Sequence, residues 1–363
     1  MRILVVIGTR PEAIKMLPLV LELRKYSTLE TLVCFSGQHE SLADEVFDYF
    51  NIAPDFVCRD TGKRERSLNE LTRSLLNYFD VLFNNCKPDT VLVHGDTTTA
   101  FCAALSAFLR GIRIGHVEAG LRTYNVRSPY PEEFNRVAID AMSDLHFAPT
   151  AENAKSLEKE GKSGAFVVGN TVIDALEYTL SDTFHSSLID EAGDRKILLV
   201  TTHRRENIGE KMQASLLGVR DILCERGDLF AILPAHPNPA VRRVIYGVFS
   251  DVKNIKICEP LAVREFHNIL ARSLAVITDS GGVQEEASYL GVPIFLLRDT
   301  TERAEAVASG NARLVGCKRE EVRREILKAI SDEHILSDMK RRSLAFGDGT
   351  ASKKIAKKLL SLS

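Results

Sequence analysis

The sequence predicts an α/β fold built from two doubly wound domains, each a parallel sheet covered by helices on both faces. Three observations predict it. Short β-branched runs alternate with longer helical patterns along the chain. The strand candidates are continuously apolar, as strands buried on both faces are. At 363 residues the chain also exceeds what one hydrophobic core usually spans.

The first series of strands is read at residues 3–7, 31–35, 90–93, 112–117 and 145–148. The second is read at 197–201, 229–233, 255–258, 275–278 and 294–297. Helical spacing appears between them, as in Ile14, Leu17, Val20 and Leu21, and in Val322, Ile326, Leu327 and Ile330. A junction is expected near Val168-Gly169-Asn170-Thr171, which gives domains of residues 1–169 and 170–349. The stretch 181–195 is polar and aperiodic and leads into the second series. The last helix pattern, 352–360, turns Lys353, Lys354, Lys357 and Lys358 outward.

Composition narrows the function. Forty-seven basic side chains stand against 49 acidic ones, a formal charge of −2. That balance offers no electrostatic hold on nucleic acid or on an acidic membrane. The seven cysteines are odd in number and form no Cys-x-x-Cys pair. They read as reduced thiols in a reducing, cytoplasmic setting, not as a disulfide framework or a zinc site. The first apolar run stops at Gly8 and lacks a small-residue cleavage site, so it reads as a buried strand rather than a signal peptide. No stretch approaches the roughly 18 apolar residues of a membrane span.

In open parallel sheets ligands bind where the strands end, at their carboxyl edges. Gly8-Thr9-Arg10-Pro11-Glu12 follows the first strand. Gly8 suits a tight turn, Pro11 a helix start, and Arg10 with Lys15 one turn later suits an anion at that helix terminus. Thr278-Asp279-Ser280-Gly281-Gly282-Val283-Gln284-Glu285-Glu286 follows a strand of the second series. Its glycines and Ser280 suit a diphosphate at the next helix, and Glu286 suits the hydroxyls of a ribose. His203-Arg204-Arg205-Glu206 follows another strand and suits an anion cradle or a proton donor to a leaving phosphate. Taken singly, each segment also fits a turn, a cap or a surface ion pair.

Carboxylates follow two strands of the first domain, in His94-Gly95-Asp96-Thr97-Thr98-Thr99 and His116-Val117-Glu118-Ala119-Gly120. Pro131-Glu132-Glu133 adds another on a proline-stiffened loop. Asp96, Glu118 and Glu132 around one site fit proton removal and delivery at a sugar carbon. His39, His146, His185, His236, His267 and His334 have no metal-ligand spacing, so no metal site is expected.

Together these segments resemble the non-hydrolysing UDP-N-acetylglucosamine 2-epimerases. The resemblance extends to Gly169-Asn170-Thr171-Val172-Ile173-Asp174 and Arg298-Asp299-Thr300-Thr301-Glu302-Arg303, in order along the whole chain. It implies a glycosyltransferase-B-type fold of two Rossmann-like domains facing a cleft, with the helix in 350–363 packed back on the first. It places Arg10, Lys15, Asp96, Glu118, His203, Phe266, Ser280, Gly281, Gly282, Glu286 and Arg303 at a UDP-sugar, with Phe266 near uracil. Asp96, Glu118, Glu132 and His203 become the catalytic groups. Gln38, His39, Arg205 and His236 resemble a second, activating substrate site. The implied reaction eliminates UDP to a 2-acetamidoglucal and adds it back. It needs no nicotinamide or metal, because carbon 2 is never oxidised. A homodimer is implied as well. A hydrolysing relative that releases UDP and N-acetylmannosamine, or a transferase of the same fold, remains the alternative.

Overall fold

Each predicted strand forms, because each run finds a parallel neighbour for its backbone groups, and most are buried on both faces; Ile255–Cys258, at a sheet edge, is only half-buried. The computed structural model describes residues 1–37, 40–58, 67–202, 209–301 and 303–362. The chain divides into two units, Met1–Glu177 with Gly347–Ser363, and Tyr178–Phe346.

The first unit runs β1 (Arg2–Ile7), α1 (Arg10–Leu23), β2 (Glu30–Phe35), α2 (Glu40–Tyr49), β3 (Phe56–Val57), α3 (Leu68–Cys86), β4 (Thr90–His94) and α4 (Thr98–Leu109). It continues with β5 (Arg113–Val117), α5 (Glu132–Met142), β6 (Leu145–Ala148), α6 (Ala151–Lys159), β7 (Ala165–Val167) and α7 (Thr171–Thr179). The second unit runs α8 (Ser187–Ala192), β8 (Lys196–Thr201), α9 (Glu210–Glu225), β9 (Leu229–Pro234), α10 (Pro239–Phe249), β10 (Ile255–Cys258) and α11 (Val263–Arg272). Next come β11 (Ala275–Thr278), α12 (Gly281–Leu290), β12 (Ile294–Leu296), α13 (Ala304–Ala308), β13 (Ala312–Leu314), α14 (Arg319–Ser331) and α15 (Glu333–Met339). The chain then returns to the first unit as α16 (Ala351–Leu360), which packs against α1.

Among the described residues the sheets have seven strands in the order β3-β2-β1-β4-β5-β6-β7 and six in the order β10-β9-β8-β11-β12-β13. Every pairing is parallel. Strand order reverses direction between β1 and β4, and again between β8 and β11, the switch points beside which open α/β sheets bind ligands. Strand β8 shows why the apolar runs are continuous. Leu198 and Val200 pack under Leu216, Val219, Ile245 and Ile326, while Ile197 and Leu199 pack on the opposite face with Ile269, Leu270 and Val283.

Three edge strands have no counterpart in the apolar pattern. Strands β3, β7 and β13 are two or three residues long and largely half-buried or exposed. An edge covered on fewer sides has no need of a long apolar run. The Gly169-Asn170 turn, where the sequence suggests a junction, lies within the first unit, and the chain leaves that unit along α7. The reason is local: Asp174 of α7 accepts the Ala351 and Ser352 N–H groups at 3.2 and 2.7 Å, capping α16. Among the described residues no helix is long and apolar enough to cross a membrane.

Candidate functional site

In the first unit the chemistry gathers where β1, β4 and β5 end. Glu118 follows β5, is 8% exposed, and has φ +67°. A non-glycine residue rarely takes that left-handed conformation, and one that does is held there by its surroundings. The holders are identifiable. Lys15 of α1 reaches both carboxylate oxygens, at 3.0 and 2.8 Å. Asn170 Nδ2 donates to Oε1 at 3.4 Å. His94 Nε2 lies 2.8 Å from Oε2, close but not aligned for a hydrogen bond. Burial pushes the His94 ring below its ordinary pKa despite the neighbouring Glu118, which pulls the other way. His94 therefore stands by Glu118 as a neutral ring, and Lys15 supplies the compensating charge.

Asp96 follows β4, with its side chain 30% exposed. Arg136 Nη2 donates to Asp96 Oδ2 at 2.5 Å, and Asn135 Nδ2 donates to the Asp96 carbonyl at 2.8 Å. Both donors lie on α5, which Glu132 opens. Residues three and four apart share one helix face, so Glu132 stands on the face that holds Asp96. Glu132 is partly exposed, and its negative charge suits the helix N-terminus.

The loop after β1 is tied to the Asp96 loop by Glu12. Its Oε2 accepts from Gly8 N at 3.2 Å and Thr9 Oγ1 at 2.7 Å, and its Oε1 accepts from Thr97 Oγ1 at 3.0 Å. Burial raises the Glu12 carboxyl to about 7, against the lowering effect of those donors. Gly8 is needed here for space rather than for a turn: a Cβ would lie 2.6 Å from Thr99 Oγ1. Arg10 is half-buried at the first residue of α1.

In the second unit Ser280 is the N-cap residue of α12, and its side chain caps no N–H of that helix. A Cβ on Gly282 would meet nothing within 4 Å, and Gly282 is not among the glycines with positive φ. Neither protein contact nor backbone geometry accounts for this glycine, whereas close approach of an anion to helix N–H groups does. Glu285 and Glu286 are buried rather than at the surface, 2% and 8% exposed. Glu285 accepts from Arg303 Nε at 3.0 Å, which ties Arg303 to α12. Glu286 Oε1 is 3.5 Å from His267 Nε2, and Glu286 Oε2 has no hydrogen-bond partner among the described residues. A buried carboxylate oxygen of that kind fits a hydroxyl donor from a ligand. Phe266 is half-buried beside His267, with ring centroids 6.1 Å apart.

The structure thus brings Asp96, Glu118 and Lys15 to the ends of neighbouring strands, and ties Glu132 to them through α5. It groups Phe266, Ser280, Gly281, Gly282, Glu286 and Arg303 around α12. His203, Arg204, Arg205 and Glu206 lie outside the described residues, as do Gln38, His39 and Glu302. His236 is exposed ahead of α10, its Nδ1 accepting from Asn238 N at 3.2 Å. Sequence reasoning assigned no role to Glu12, His94, Asn135, Arg136 or Asn170. The i, i+3, i+4 spacing from Glu132 was the available signal for Asn135 and Arg136. Among the described residues no three His, Cys, Asp or Glu side chains are grouped to hold a metal. A pocket of about 500 Å³ opens at the opposite edge of the first sheet, lined by Met1, Pro88, Asp89, Arg113 and Leu362, away from all of this chemistry.

The family model described as UDP-N-acetylglucosamine 2-epimerase matches residues 21–360. The chain is 46% identical to a UDP-N-acetylglucosamine 2-epimerase of Bacillus subtilis (strain 168), covering 99% of this chain and 95% of that one. It is 40% identical to that of Escherichia coli (strain K12), covering 99% and 98%. The crystal structure of the Neisseria meningitidis UDP-GlcNAc 2-epimerase bound to UDP-GlcNAc superposes with a TM-score of 0.94 at 39% identity, covering 99% of this chain and 100% of that one. A spinosyn rhamnosyltransferase, 15% identical with a TM-score of 0.62, shares the fold alone, which is of the glycosyltransferase-B type.

Proposed function

The chain belongs to the UDP-N-acetylglucosamine 2-epimerase family, and we propose that it interconverts UDP-N-acetylglucosamine and UDP-N-acetylmannosamine without net hydrolysis. The observation that carries this reading is the pair of carboxylates, Asp96 and Glu118, at the ends of adjacent strands, each with its own cation.

The chemistry explains why carboxylates and a diphosphate cradle are needed together. The proton on carbon 2 of the sugar has no neighbouring carbonyl to acidify it, so simple removal and return is too slow. If the bond from carbon 1 to the UDP oxygen breaks as the proton leaves, positive charge at carbon 1 assists the removal. The electron pair of the carbon–hydrogen bond becomes the double bond of a 2-acetamidoglucal, and UDP leaves with the pair from the carbon–oxygen bond. UDP then adds back at carbon 1 while a proton reaches carbon 2 from the other face. Asp96, Glu118 and Glu132 exchange these protons. Lys15 balances the buried charge of Glu118, and Arg136 fixes the position of Asp96. Arg10, His203 and the N–H groups that open α12 stabilise the departing diphosphate. Ser280, Gly281, Gly282 and Arg303 hold it, Glu286 takes the ribose hydroxyls, and Phe266 lies by the uracil.

The test is incubation with UDP-N-acetylglucosamine in deuterated water. The expected result is deuterium at carbon 2 of both UDP-sugars, with free UDP staying far below sugar turnover. Release of UDP in step with turnover would make the enzyme a hydrolysing one. We further propose a homodimeric working form, measured by sedimentation, and a cytoplasmic location. Seven free thiols, most of them buried, suit that reducing setting.

A further inference from the structure

His116 has no assigned role, yet it is fully buried and both of its ring nitrogens are engaged. Nε2 lies 2.8 Å from the Gly95 carbonyl oxygen, and Nδ1 lies 2.6 Å from Asp140 Oδ1. A carbonyl oxygen only accepts, so Nε2 carries a proton. Asp140 also faces Arg122 Nη1 at 2.8 Å and accepts the Gly120 N–H at 3.2 Å. Its own burial would raise its pKa, but His116 and Arg122 together hold it below the ordinary value. Arg122, a permanent cation, and the Gly120 N–H both face Asp140 Oδ2, so Asp140 is an ionised acceptor and Nδ1 carries a proton too. The ring is then an imidazolium clamped between a carboxylate and a carbonyl.

What it clamps matters. Gly95, with φ +61°, immediately precedes Asp96. Gly120, with φ +85°, lies just beyond Glu118 and its strained φ of +67°. A Cβ on Gly120 would fall 2.3 Å from the Asn153 carbonyl oxygen, so that turn has one available path. Arg122 is locked in turn by Glu160, which its Nε and Nη2 both reach at 2.7 Å. Among the described residues, His94 on β4, the neutral partner of Glu118, and His146 on β6 are further titratable neighbours of the ring. His146 pairs in register with His116 and lies 2.9 Å, through Nε2, from the Asp140 carbonyl oxygen.

We propose that His116 is a positioning residue whose buried imidazolium, joined to Asp140 and the Gly95 carbonyl, fixes the two turns that present Asp96 and Glu118. It touches no substrate. It holds the separation and orientation of the two proton-exchanging carboxylates, and so acts on the chemical step rather than on binding. The proposal rests on the epimerase reading for its kinetic consequence, but not for the state of the ring.

Two measurements test it. The first is nitrogen-15 NMR of the histidine rings in the unaltered protein without substrate. Both His116 nitrogens are expected to carry a proton at pH 7, one facing the Gly95 carbonyl and one facing Asp140. A His116 ring with either nitrogen unprotonated at pH 7 overturns the proposal, whatever the enzyme does. The second uses His116→Gln and Asp140→Asn, each checked by circular dichroism and by UDP affinity. Each is expected to lower kcat about 30-fold or more, within the range that misplacement of reacting groups produces. KM and UDP affinity should stay within about threefold, with carbon-2 labelling falling in step with kcat. A folded His116→Gln protein with kcat close to the unaltered value overturns it. Absence of carbon-2 labelling in the unaltered protein also overturns it, by removing the reaction it serves, and is told apart because the ring is read without substrate.

Discussion

At the scale of single residues, Glu118 carries two burdens at once, a left-handed backbone and a buried charge. Lys15 is what makes the second tolerable: the two side chains are 11% and 8% exposed and meet at 2.8 Å. Removing one partner of a buried pair leaves an uncompensated charge, so Glu118→Gln should lose about 3 kcal/mol of stability in urea unfolding. Lys15→Met in the same protein should restore part of that loss. Activity should behave differently: Glu118→Gln should lower carbon-2 labelling about 100-fold or more, and the second substitution should not restore it. Recovery of activity in the double variant would remove Glu118 from the chemistry. Glu12 gives a pH signature. Its folded pKa is raised to about 7 from 4.5, so between those values the folded state holds a proton that the unfolded state has released. Stability must therefore fall as pH rises through that window and level off above it. Glu12→Gln should flatten the fall, read as urea midpoints at pH 5 and pH 8.

At the scale of elements, the proposed reaction draws on α5 and α12 by different means. Helix α5 delivers side chains: Glu132 at its start, with Asn135 and Arg136 one turn on gripping Asp96. Arg136→Lys keeps the charge but loses the rigid fork. It should lower kcat about tenfold or more with KM little changed, and unchanged kcat would count against α5 as the holder of Asp96. Helix α12 delivers backbone. Alanine stabilises a helix by about 0.5–1 kcal/mol relative to glycine, and a Cβ on Gly282 would meet nothing. Gly282→Ala should thus raise the melting temperature slightly while weakening UDP binding about tenfold or more by calorimetry. A variant that binds UDP normally would free that turn from the diphosphate. The elements themselves were largely legible. All ten runs became strands, most because a strand buried on both faces must be apolar throughout; β10, an edge strand with Lys256, is only half-buried. Strands β3, β7 and β13 were not legible, because an edge needs only two or three residues and little burial.

At the scale of the whole molecule, chain order and domain membership part company. The last helix belongs to the first unit, with Ile355, Ala356 and Leu359 fully buried and α1 beneath it. Leu359→Ala should cost about 3 kcal/mol in urea unfolding, as a large buried aliphatic group does when truncated. A cost below about 1 kcal/mol would mean the helix is dispensable, since substitutions away from packed interiors rarely exceed about 0.5 kcal/mol.

By itself the sequence determined the fold class, the two series of parallel strands, and the ordered motifs that identify the family. Each of these is written in neighbouring residues: periodicity, glycine and proline placement, the residue after a strand. Only the tertiary structure decided that Lys15 meets Glu118, that Arg136 meets Asp96, that His116 is engaged at both nitrogens, and that one buried oxygen of Glu286 has no hydrogen-bond partner among the described residues. These pairs join residues far apart in the chain, 103 positions for Lys15 and Glu118 and 40 for Arg136 and Asp96. Local pattern fixes which face of an element is apolar, but parallel pairing and helix packing fix which polar groups meet across it.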